Sequence, residues 1–457
     1  MAFEAAREKM AEAGASPLAI EVFTRYAQQV ADGATGLIPE ETIEPITQVD
    51  SADEFARTVD PTAAREALSK TVMLKLNGGL GTSMGLDHAK SLIPVRAGHT
   101  FLDIICAQVR AAREKYHVRL PLIFMDSFRT QADTLAAIPE DIAVAGLPQD
   151  FLQGKEPKLL VDTLEPVSWP ADPSLEWCPP GHGDIFTTLF DMGLVDTLLE
   201  QGFEYMMTSN ADNLGATPSA EIAAWFAASG APYAPEVCVR TAADRKGGHL
   251  ARRKSDGRVI LRDTAQTPDD QMEYFTDEHR HPFFHTNNLW FNLRALSQLL
   301  HETHGLVGLP LIRNRKHVDP TDKTSPEVYQ LECAMGAIVA SFDGAQPVEV
   351  PRSRFLPVKT TNDLLTLRSD AYELTPDAHL ALVAPAAPVV DLDKQYFQFV
   401  ADFDARFPSI PSLKEVRTFT VHGDWHFSGG VAWSGDVLLE GSGSVTAISG
   451  MREVLPA

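Results

Sequence analysis

The fold is decided by residues 71–96, which read TVMLKLNGGLGTSMGLDHAKSLIPVR. The segment begins as a strand, because the apolar residues Val72, Leu74 and Leu76 alternate with other side chains before the apolar run stops. A loop rich in glycine follows directly. Glycine carries no Cβ, so such a backbone can approach a ligand closely and direct its N–H groups at an anion. The stretch therefore predicts a strand that leads into a phosphate-binding loop.

The glycine loop matches neither of the two commonest phosphate-binding motifs. No lysine directly follows the glycines, as a Walker A motif requires. Gly79, Gly81 and Gly85 read G-x-G-x-x-x-G, which differs from the Rossmann fingerprint, and a strand follows in place of a long helix. A tight surface turn is the structural alternative. Four glycines, a threonine and Lys90 within about fifteen residues favour a ligand-binding loop over that alternative.

The segment 76–85, LNGGLGTSMG, and the downstream pair Lys90-Ser91 resemble the eukaryotic-type family of UTP–glucose-1-phosphate uridylyltransferases, also called UDP-glucose pyrophosphorylases. The pattern GxGTxMG followed by a lysine is shared with the UDP-N-acetylhexosamine pyrophosphorylases. The preceding LNGG and several later segments favour the glucose family. The resemblance extends over roughly residues 45–450. It implies a central nucleotide-binding α/β domain and a C-terminal left-handed β-helix.

Composition restricts the classes of partner. The 457-residue chain has a net charge of −23, which argues against nucleic acid or an anionic membrane as its main partner. Its four cysteines are far apart and form no CxxC pair, so neither a zinc site nor a disulfide framework is indicated. The sequence shows no signal peptide and no apolar run of about 18 residues. We therefore expect a cytoplasmic protein that is not bound to membranes and has two or three domains.

Alternating strand and helix patterns predict a doubly wound α/β core over residues 71–374. The alternation runs from the glycine loop to about residue 228 and indicates a parallel sheet. In such a sheet, ligands bind at the carboxyl ends of the strands. Antiparallel segments follow, including a hairpin over 250–262 that is turned by Asp256-Gly257. They predict a lobe that closes over a substrate.

The remaining segments are assigned from their local patterns. Residues 1–70 are predicted to form a helical N-terminal segment. Helices are predicted over 327–342 and 361–373, and a proline-rich linker over 375–390. The final segment, 391–457, has short strands separated by Gly-Asp and Gly-Gly turns, which favours a small parallel β-helix over a simple β cap. Its stackable edges make it the predicted contact surface of a homo-oligomer.

Three polar residues occur where a nucleotide is expected to bind. His182 stands at a predicted helix start, where it can donate to a phosphate or a base; the alternative is a buried histidine bonded to the backbone. Asp212 comes just after the strand at 204–208, where a nucleotide-bound Mg²⁺ would be held, and is less well explained as a helix cap. Gln153 can pair with a base amide, although most loop glutamines are solvated.

Two later segments suit a sugar and its phosphate. Amides and bare backbone at Gly247-Gly248 and Asn287-Asn288 fit sugar hydroxyls, which need paired donors and acceptors, although a Gly-Gly turn alone is ordinary. Lys359 ends a basic stretch in an acidic protein, which favours a phosphate-facing role over a solvated loop. Together these features predict nucleotidyl transfer to a sugar phosphate. The attacking phosphate oxygen is already anionic, so no general base is required.

The resemblance implies a role for individual residues. The uridine and its base would be contacted by Leu76, Gly78, Gly79, Gln153 and Gly181. The catalytic lysines that neutralise the phosphates would be Lys90 and Lys359, and the Mg²⁺ ligand would be Asp212. The sugar and its junction with the nucleotide would be bordered by His182, Asn210, Gly248, Phe284 and Asn287. The implied reaction is reversible and converts UTP and glucose 1-phosphate into UDP-glucose and pyrophosphate.

Two residues depart from the family pattern in the sugar pocket. Asp263 stands where the family usually has a glutamate that contacts glucose hydroxyls, and His285 replaces the first asparagine of FNTNN. Both changes leave galactose 1-phosphate and N-acetylglucosamine 1-phosphate open as acceptors. A non-catalytic UDP-sugar-binding protein is the remaining alternative. The presence of Lys90, Asp212 and Lys359 counts against it.

Overall fold

The computed structural model describes residues 3–241, 244–245 and 247–446. The last residues of the predicted C-terminal domain, 447–457, lie outside these ranges. Within them, no helix is long and apolar enough to cross a membrane. The α-helices are, in chain order, α1 (Glu4–Glu12), α2 (Pro17–Ala31), α3 (Ala52–Ala56), α4 (Pro61–Ser69), α5 (Phe101–Tyr116), α6 (Gln131–Ala137), α7 (Ile185–Asp191), α8 (Leu194–Glu200), α9 (Ala220–Ser229), α10 (Met272–Phe275), α11 (Leu293–Glu302), α12 (Thr361–Arg368), α13 (Lys394–Phe397) and α14 (Val400–Arg406).

The strands form one large sheet and several small ones. In chain order they are β1 (Ile43–Pro45), β2 (Asp50–Ser51), β3 (Thr71–Leu76), β4 (Pro94–Arg96), β5 (His99–Thr100), β6 (Leu122–Asp126), β7 (Asp150–Leu152), β8 (Glu156–Pro157), β9 (Leu159–Leu160), β10 (Trp177–Cys178), β11 (Tyr205–Asn210), β12 (Tyr233–Val239), β13 (His249–Arg253), β14 (Val259–Arg262), β15 (Phe283–Asn292), β16 (Leu311–His317), β17 (Glu327–Cys333), β18 (Val348–Glu349), β19 (Tyr372–Leu374), β20 (Leu380–Leu382), β21 (Val389–Leu392), β22 (Ser412–Ser428) and β23 (Ala432–Thr446).

The large sheet has eight strands in the order β2-β18-β12-β15-β11-β3-β6-β7. β11, β3, β6 and β7 pair in parallel, whereas β15 runs antiparallel to both of its neighbours. Side chains of β3 alternate between the two faces, so Val72 and Leu74 enter one hydrophobic core and Met73 enters the other. Helices α4, α5 and α9 cover the Met73 face, and α2, α7, α8 and α11 cover the opposite face. The prediction of a mixed α/β fold is confirmed.

The second lobe is built on a small antiparallel sheet of β1, β13 and β14. β13 and β14 form the predicted hairpin, and Gly257 in its turn has a φ of 72°. β15 is ten residues long, and its first residues, Phe283 to His285, pair with the C-terminal end of β12. This strand therefore connects the large sheet to the second lobe.

The helix predicted over 327–342 is wrong. Residues Glu327–Cys333 form β17, which pairs along its whole length with β16, and a 3₁₀ segment, Met335–Ser341, follows. The spacing of the buried residues Val328, Leu331 and Cys333 does not by itself distinguish a helix from a strand. Pairing with β16 determines that the segment is a strand.

Three parallel strands dominate the C-terminal segment. β21 pairs in parallel with β22, and β22 pairs in parallel with β23. Phe419 of β22 faces Val390 on one side and Val437 on the other, so apolar residues stack from strand to strand. This arrangement is consistent with a β-helix. The stretch predicted as a linker, 375–390, carries β20, which pairs with β19.

Candidate active site

A cavity of about 270 Å³ opens at the carboxyl ends of β3 and β11. Nine of the predicted site residues line it, and they are Leu76, Gly78, Gly79, Lys90, Gln153, Gly181, His182, Asn210 and Asp212. A larger cleft of about 730 Å³ lies between Val95 and Val431, and no predicted site residue lines that one. The sheet edge thus brings together most of the residues that the sequence placed on the nucleotide.

The start of the glycine loop is fixed by a buried asparagine. The side-chain nitrogen of Asn77 donates to Asp126 at 2.9 Å and to Thr134 at 2.8 Å. Burial raises the pKa of Asp126 to about 6, because its charged form loses hydration. A Cβ added to Gly78 would lie 2.9 Å from Oε1 of Gln153, so a larger residue here would displace the glutamine side chain.

Gln153 is held between two loops. Its Nε2 donates to the carbonyl of Gly181 at 2.6 Å, and the next amide, of Gly154, donates to Asp184 at 2.7 Å. Gly181 has a φ of 78°, and a Cβ there would lie 2.5 Å from the carbonyl oxygen of Cys333. The Oε1 of Gln153 lies beside Gly78, which lines the cavity, and accepts no hydrogen bond within the described part of the chain. That orientation suits the N–H of a pyrimidine base.

His182 contributes a neutral ring. Its Nδ1 accepts a hydrogen bond from the amide of Met335 at 2.9 Å, which assigns the proton to Nε2 and makes Nε2 the donor. Burial, with a smaller contribution from the nearby Lys359, lowers the pKa of His182 to about 4. The ring both bonds to the backbone and lines the cavity. A buried histidine held by the backbone is therefore compatible with a histidine that donates to a ligand.

Asp212 binds both predicted catalytic lysines. Nζ of Lys90 and Nζ of Lys359 each lie 2.8 Å from its Oδ2. Lys90 also donates to the carbonyl of Val358, next to Lys359. Burial alone would raise the pKa of Asp212, but the two ammonium groups outweigh it and hold the pKa below its usual value. The carboxylate is therefore ionised in the free protein.

One oxygen of Asp212 fits a metal ligand. Its Oδ1 is buried and has no hydrogen-bond partner within the described part of the chain. No group of three or more acidic, histidine or cysteine residues that would enclose a metal occurs among the described residues. A divalent ion held here would take most of its ligands from substrate phosphates and water, which is usual for Mg²⁺.

The predicted sugar residues lie beside this cavity, across from β11. Nδ2 of Asn287 donates to Oδ1 of Asn210 at 3.0 Å, which joins β15 to the nucleotide side. The carbonyl of Gly248 accepts from the amide of His285 at 2.8 Å. A Cβ on Gly248 would lie 2.2 Å from Oδ1 of Asp263, whose pKa is raised by burial. Asn287, His285, Gly248 and Asp263 therefore form one group on the second lobe.

Phe284 does not join that group. It is 2% exposed, and its side chain lies on the opposite face of β15 from His285 and Asn287. Its ring packs edge-on against Phe355 at 4.9 Å, and the guanidinium of Arg352 lies 5.0 Å from its centre. Phe284 supports the strand from behind, whereas the resemblance implied that it shapes the glucose pocket.

A buried ion pair that was not predicted from the sequence anchors the segment that precedes Lys359. The carboxylate of Glu236 accepts from Nε and Nη2 of Arg354 at 2.8 and 2.7 Å. The carbonyl of Arg354 accepts from Asn213 and Asn288, at 3.1 and 3.2 Å. These bonds tie the segment that leads to Lys359 to the loop that carries Asp212. An acid inside the apolar strand β12 was the available signal, because buried carboxylates need partners.

Lys75 is a second buried charge beneath the site. Its Nζ donates to Ser209 and to the carbonyl of Ala216, both at 2.8 Å, and so joins β3 to β11 and the loop beyond it. Burial lowers the pKa of Lys75 to about 7. The side chain fixes the two strand ends from which the glycine loop and Asp212 emerge.

Known proteins are similar to this chain in both sequence and fold. A family model described as UTP–glucose-1-phosphate uridylyltransferase matches residues 20–433. The enzyme of that name from Solanum tuberosum is 40% identical over 403 residues, which cover 87% of this chain and 81% of the relative. The one from Saccharomyces cerevisiae is 40% identical over 378 residues, covering 82% and 74%.

Solved structures agree over almost the whole chain. The UDP-glucose pyrophosphorylase from Leishmania major matches with a TM-score of 0.89 and 41% identity, covering 97% of this chain and 96% of that one. A mutant of that enzyme in complex with UDP-glucose matches equally well. The Trypanosoma brucei protein matches with a TM-score of 0.88 and 38% identity, covering 97% and 99%. The predicted resemblance is confirmed, and the chain belongs to the UTP–glucose-1-phosphate uridylyltransferase family.

Proposed function

We propose that the protein transfers the uridylyl group of UTP to glucose 1-phosphate and forms UDP-glucose and pyrophosphate. The observation that carries the proposal is the pair of lysines on Asp212 at the carboxyl edge of the sheet, beside the glycine loop. The relatives and solved structures bear the names of enzymes for this reaction, and one of those structures holds UDP-glucose.

The reaction is a direct displacement at phosphorus. A phosphate oxygen of glucose 1-phosphate forms a bond to the α-phosphorus of UTP, and the bond from that phosphorus to the bridging oxygen breaks to release pyrophosphate. The main obstacle is repulsion between two anions. Lys90 and Lys359 supply positive charge where the phosphates meet, and Nε2 of His182 supplies a neutral donor. Gln153 holds the base so that the α-phosphorus is presented to the sugar phosphate.

We propose Mg²⁺ as the metal, with Asp212 as its protein ligand. The support is the ionised carboxylate whose Oδ1 is buried and has no partner among the described residues. When bound, the ion would neutralise phosphate charge together with the lysines. The Asp212→Asn variant keeps the size of the side chain and should lose the metal requirement together with most of the turnover.

The identity of the sugar rests on the second lobe. We propose glucose 1-phosphate, with Asp263 and His285 at the edge of its pocket. Asp263 is one methylene shorter than the usual glutamate, and its Oδ1 lies against Gly248, another residue that the resemblance places at the sugar. Galactose 1-phosphate and N-acetylglucosamine 1-phosphate are the competing acceptors.

Pyrophosphate release from UTP and Mg²⁺, with the three sugar phosphates offered in parallel, tests the function. We expect release with glucose 1-phosphate to exceed release with the other two. A preference for another sugar would keep the chemistry and change the acceptor. No release from a folded protein that still binds UDP-glucose would identify a binding protein. The Asp263→Glu variant should change selectivity among the sugars, and fixed selectivity would place Asp263 outside the pocket.

We also propose three properties of the rest of the chain that were predicted from the sequence. Domain boundaries at 1–70, 71–374 and 391–457, a left-handed coil in the last domain and a cytoplasmic location belong to this set. Four free cysteines, all buried, support a reducing compartment. Self-association would use the C-terminal strands, where Leu438 is 48% exposed. Sedimentation of the intact chain and of the Leu438→Glu variant tests this surface.

A further inference from the structure

A second cavity, of about 580 Å³, lies on the other side of the glycine loop. It shares Gly78, Gly79 and Pro179 with the first cavity and extends toward β10, β16 and the loop after β16. Its volume is within the range of small-molecule sites. No step of the proposed reaction uses its other residues.

The wall of this cavity is basic. Arg129, Lys158, Lys316, His317 and Lys323 line it, and none of the described lining residues is acidic. Four lysine and arginine side chains thus line one concave surface of a protein whose net charge is −23. Concave basic surfaces concentrate anions, because low-dielectric walls focus the field.

Several of these cations are available to a ligand. The described part of the chain supplies no hydrogen bond or ion pair to the ammonium of Lys316 or of Lys323. Lys158 is 5% exposed, and its Nζ makes one described hydrogen bond, to the carbonyl of Val318 at 3.1 Å. The pKa of Lys158 is lowered, chiefly by burial, so a bound anion would restore the charge balance around it.

Two acids near this wall, Asp319 and Asp322, are engaged within their own loop. Oδ1 of Asp319 accepts from the amide and hydroxyl of Thr321, at 2.8 and 2.7 Å. Oδ1 of Asp322 accepts from the amide and hydroxyl of Thr324, at 2.8 and 2.6 Å. These carboxylates shape the loop that carries Lys323 and do not line the cavity.

Aromatic rings complete the site. Phe128 and Trp177 both line the cavity, and Phe128 is 38% exposed. Nζ of Lys155 lies 4.8 Å from the Trp177 ring centre and 5.8 Å from that of Phe128. Flat apolar faces beside lysines suit a base with attached phosphates, and the lysines alone suit an inorganic phosphate.

We propose that this cavity binds a phosphate-bearing small molecule, either inorganic pyrophosphate or a second nucleotide. Lys316 and Lys323 contact the phosphates, and Phe128 and Trp177 receive the base if one is present. The site goes beyond the proposed function and does not depend on it, since occupancy requires no transfer reaction.

Calorimetric titration in metal-free buffer with EDTA tests the site without turnover. UTP is titrated first, and inorganic pyrophosphate is then titrated into the UTP-saturated protein. Two UTP-binding events would identify a nucleotide as the ligand. One UTP-binding event followed by one pyrophosphate-binding event would identify a site that binds phosphate groups and does not require a nucleobase. One UTP event with no pyrophosphate binding would overturn the proposal.

The double variant Lys316→Glu/Lys323→Glu assigns the second event to this cavity. We expect it to weaken the second event at least tenfold and to change the first less than twofold, and the retained first event shows that the variant is folded. Lys414→Glu, an exposed charge reversal in the C-terminal domain, is the matched control and should leave both events unchanged. A second event that survives the double reversal would overturn the assignment. Because binding alone is measured, this result is independent of whether the protein catalyses uridylyl transfer.

Discussion

Replacing His285 by asparagine should make the stability of the folded chain less sensitive to acid. The amide of Asn287 donates to Nδ1 of this ring at 3.3 Å, and Nε2 is buried with no partner within the described part of the chain. Burial, with a smaller contribution from His182, lowers the pKa of His285 from 6.5 to about 3. The folded protein therefore keeps this imidazole neutral at pH values where the unfolded chain protonates it.

The sign and size follow from proton binding. Below pH 6.5 the unfolded chain binds one more proton at His285 than the folded chain does, so folding becomes less favourable as the pH falls toward about 3. Each pH unit in that window costs about 1.4 kcal/mol. Between pH 7.5 and 4.5 this residue alone should remove about 2.7 kcal/mol from the free energy of unfolding. Asparagine does not titrate, so the variant should lack this loss.

Urea unfolding of both proteins at pH 7.5, 6.0, 5.0 and 4.5 measures the effect. The substitution has its own cost at pH 7.5, so the informative quantity is the change with pH in the difference between variant and wild type. We expect that difference to move by about 2.7 kcal/mol in favour of the variant. His279→Asn, at an exposed position, is the control and should follow the wild type. Parallel pH curves for the wild type and His285→Asn would refute the reasoning.

Four further substitutions test the site and the fold. Lys90→Ala and Lys359→Ala should each lower turnover in the pyrophosphate-release assay by about 10²–10³-fold, and unchanged turnover would remove that lysine from the mechanism. Glu236→Gln leaves its buried arginine partner without a counter-charge and should cost about 3–5 kcal/mol in urea unfolding; a loss below 1 kcal/mol would contradict that role. Gly423→Ala should lower the thermal midpoint, because φ is 99° and the new Cβ would lie 1.8 Å from a carbonyl oxygen of β23, whereas Gly430→Ala meets nothing within 4 Å and should not.

The nucleotide side of the site was predictable because its signals are local. A strand, a glycine loop and Lys90 are adjacent in the chain, and Asp212 follows a recognisable strand end. In the structure, Nζ of Lys90 lies 2.8 Å from Oδ2 of Asp212. The sequence pattern already suggested this contact. Parallel strands end at one edge of a sheet, so short-range patterns fix which residues meet.

The errors arose where distant segments decide the outcome. The pairing of β17 with β16 overrides a helical interpretation of residues 327–342. Glu236 and Arg354 are 118 residues apart, so only the folded chain shows that they are partners.

In the proposed mechanism, two ammonium groups around one carboxylate oxygen account for nucleotidyl transfer without a general base. Lys90 and Lys359 both contact Oδ2 of Asp212, so two positive charges face one negative charge and a net positive charge remains at the cavity. The buried Glu236–Arg354 pair and the bond from Asn213 to the Arg354 carbonyl join the segment before Lys359 to the loop that carries Asp212. A triphosphate and a sugar phosphate repel each other, and this repulsion is the part of the barrier that fixed positive charge lowers. Since the attacking oxygen is already anionic, the protein has only to position and neutralise, and its polar residues are arranged for those two tasks.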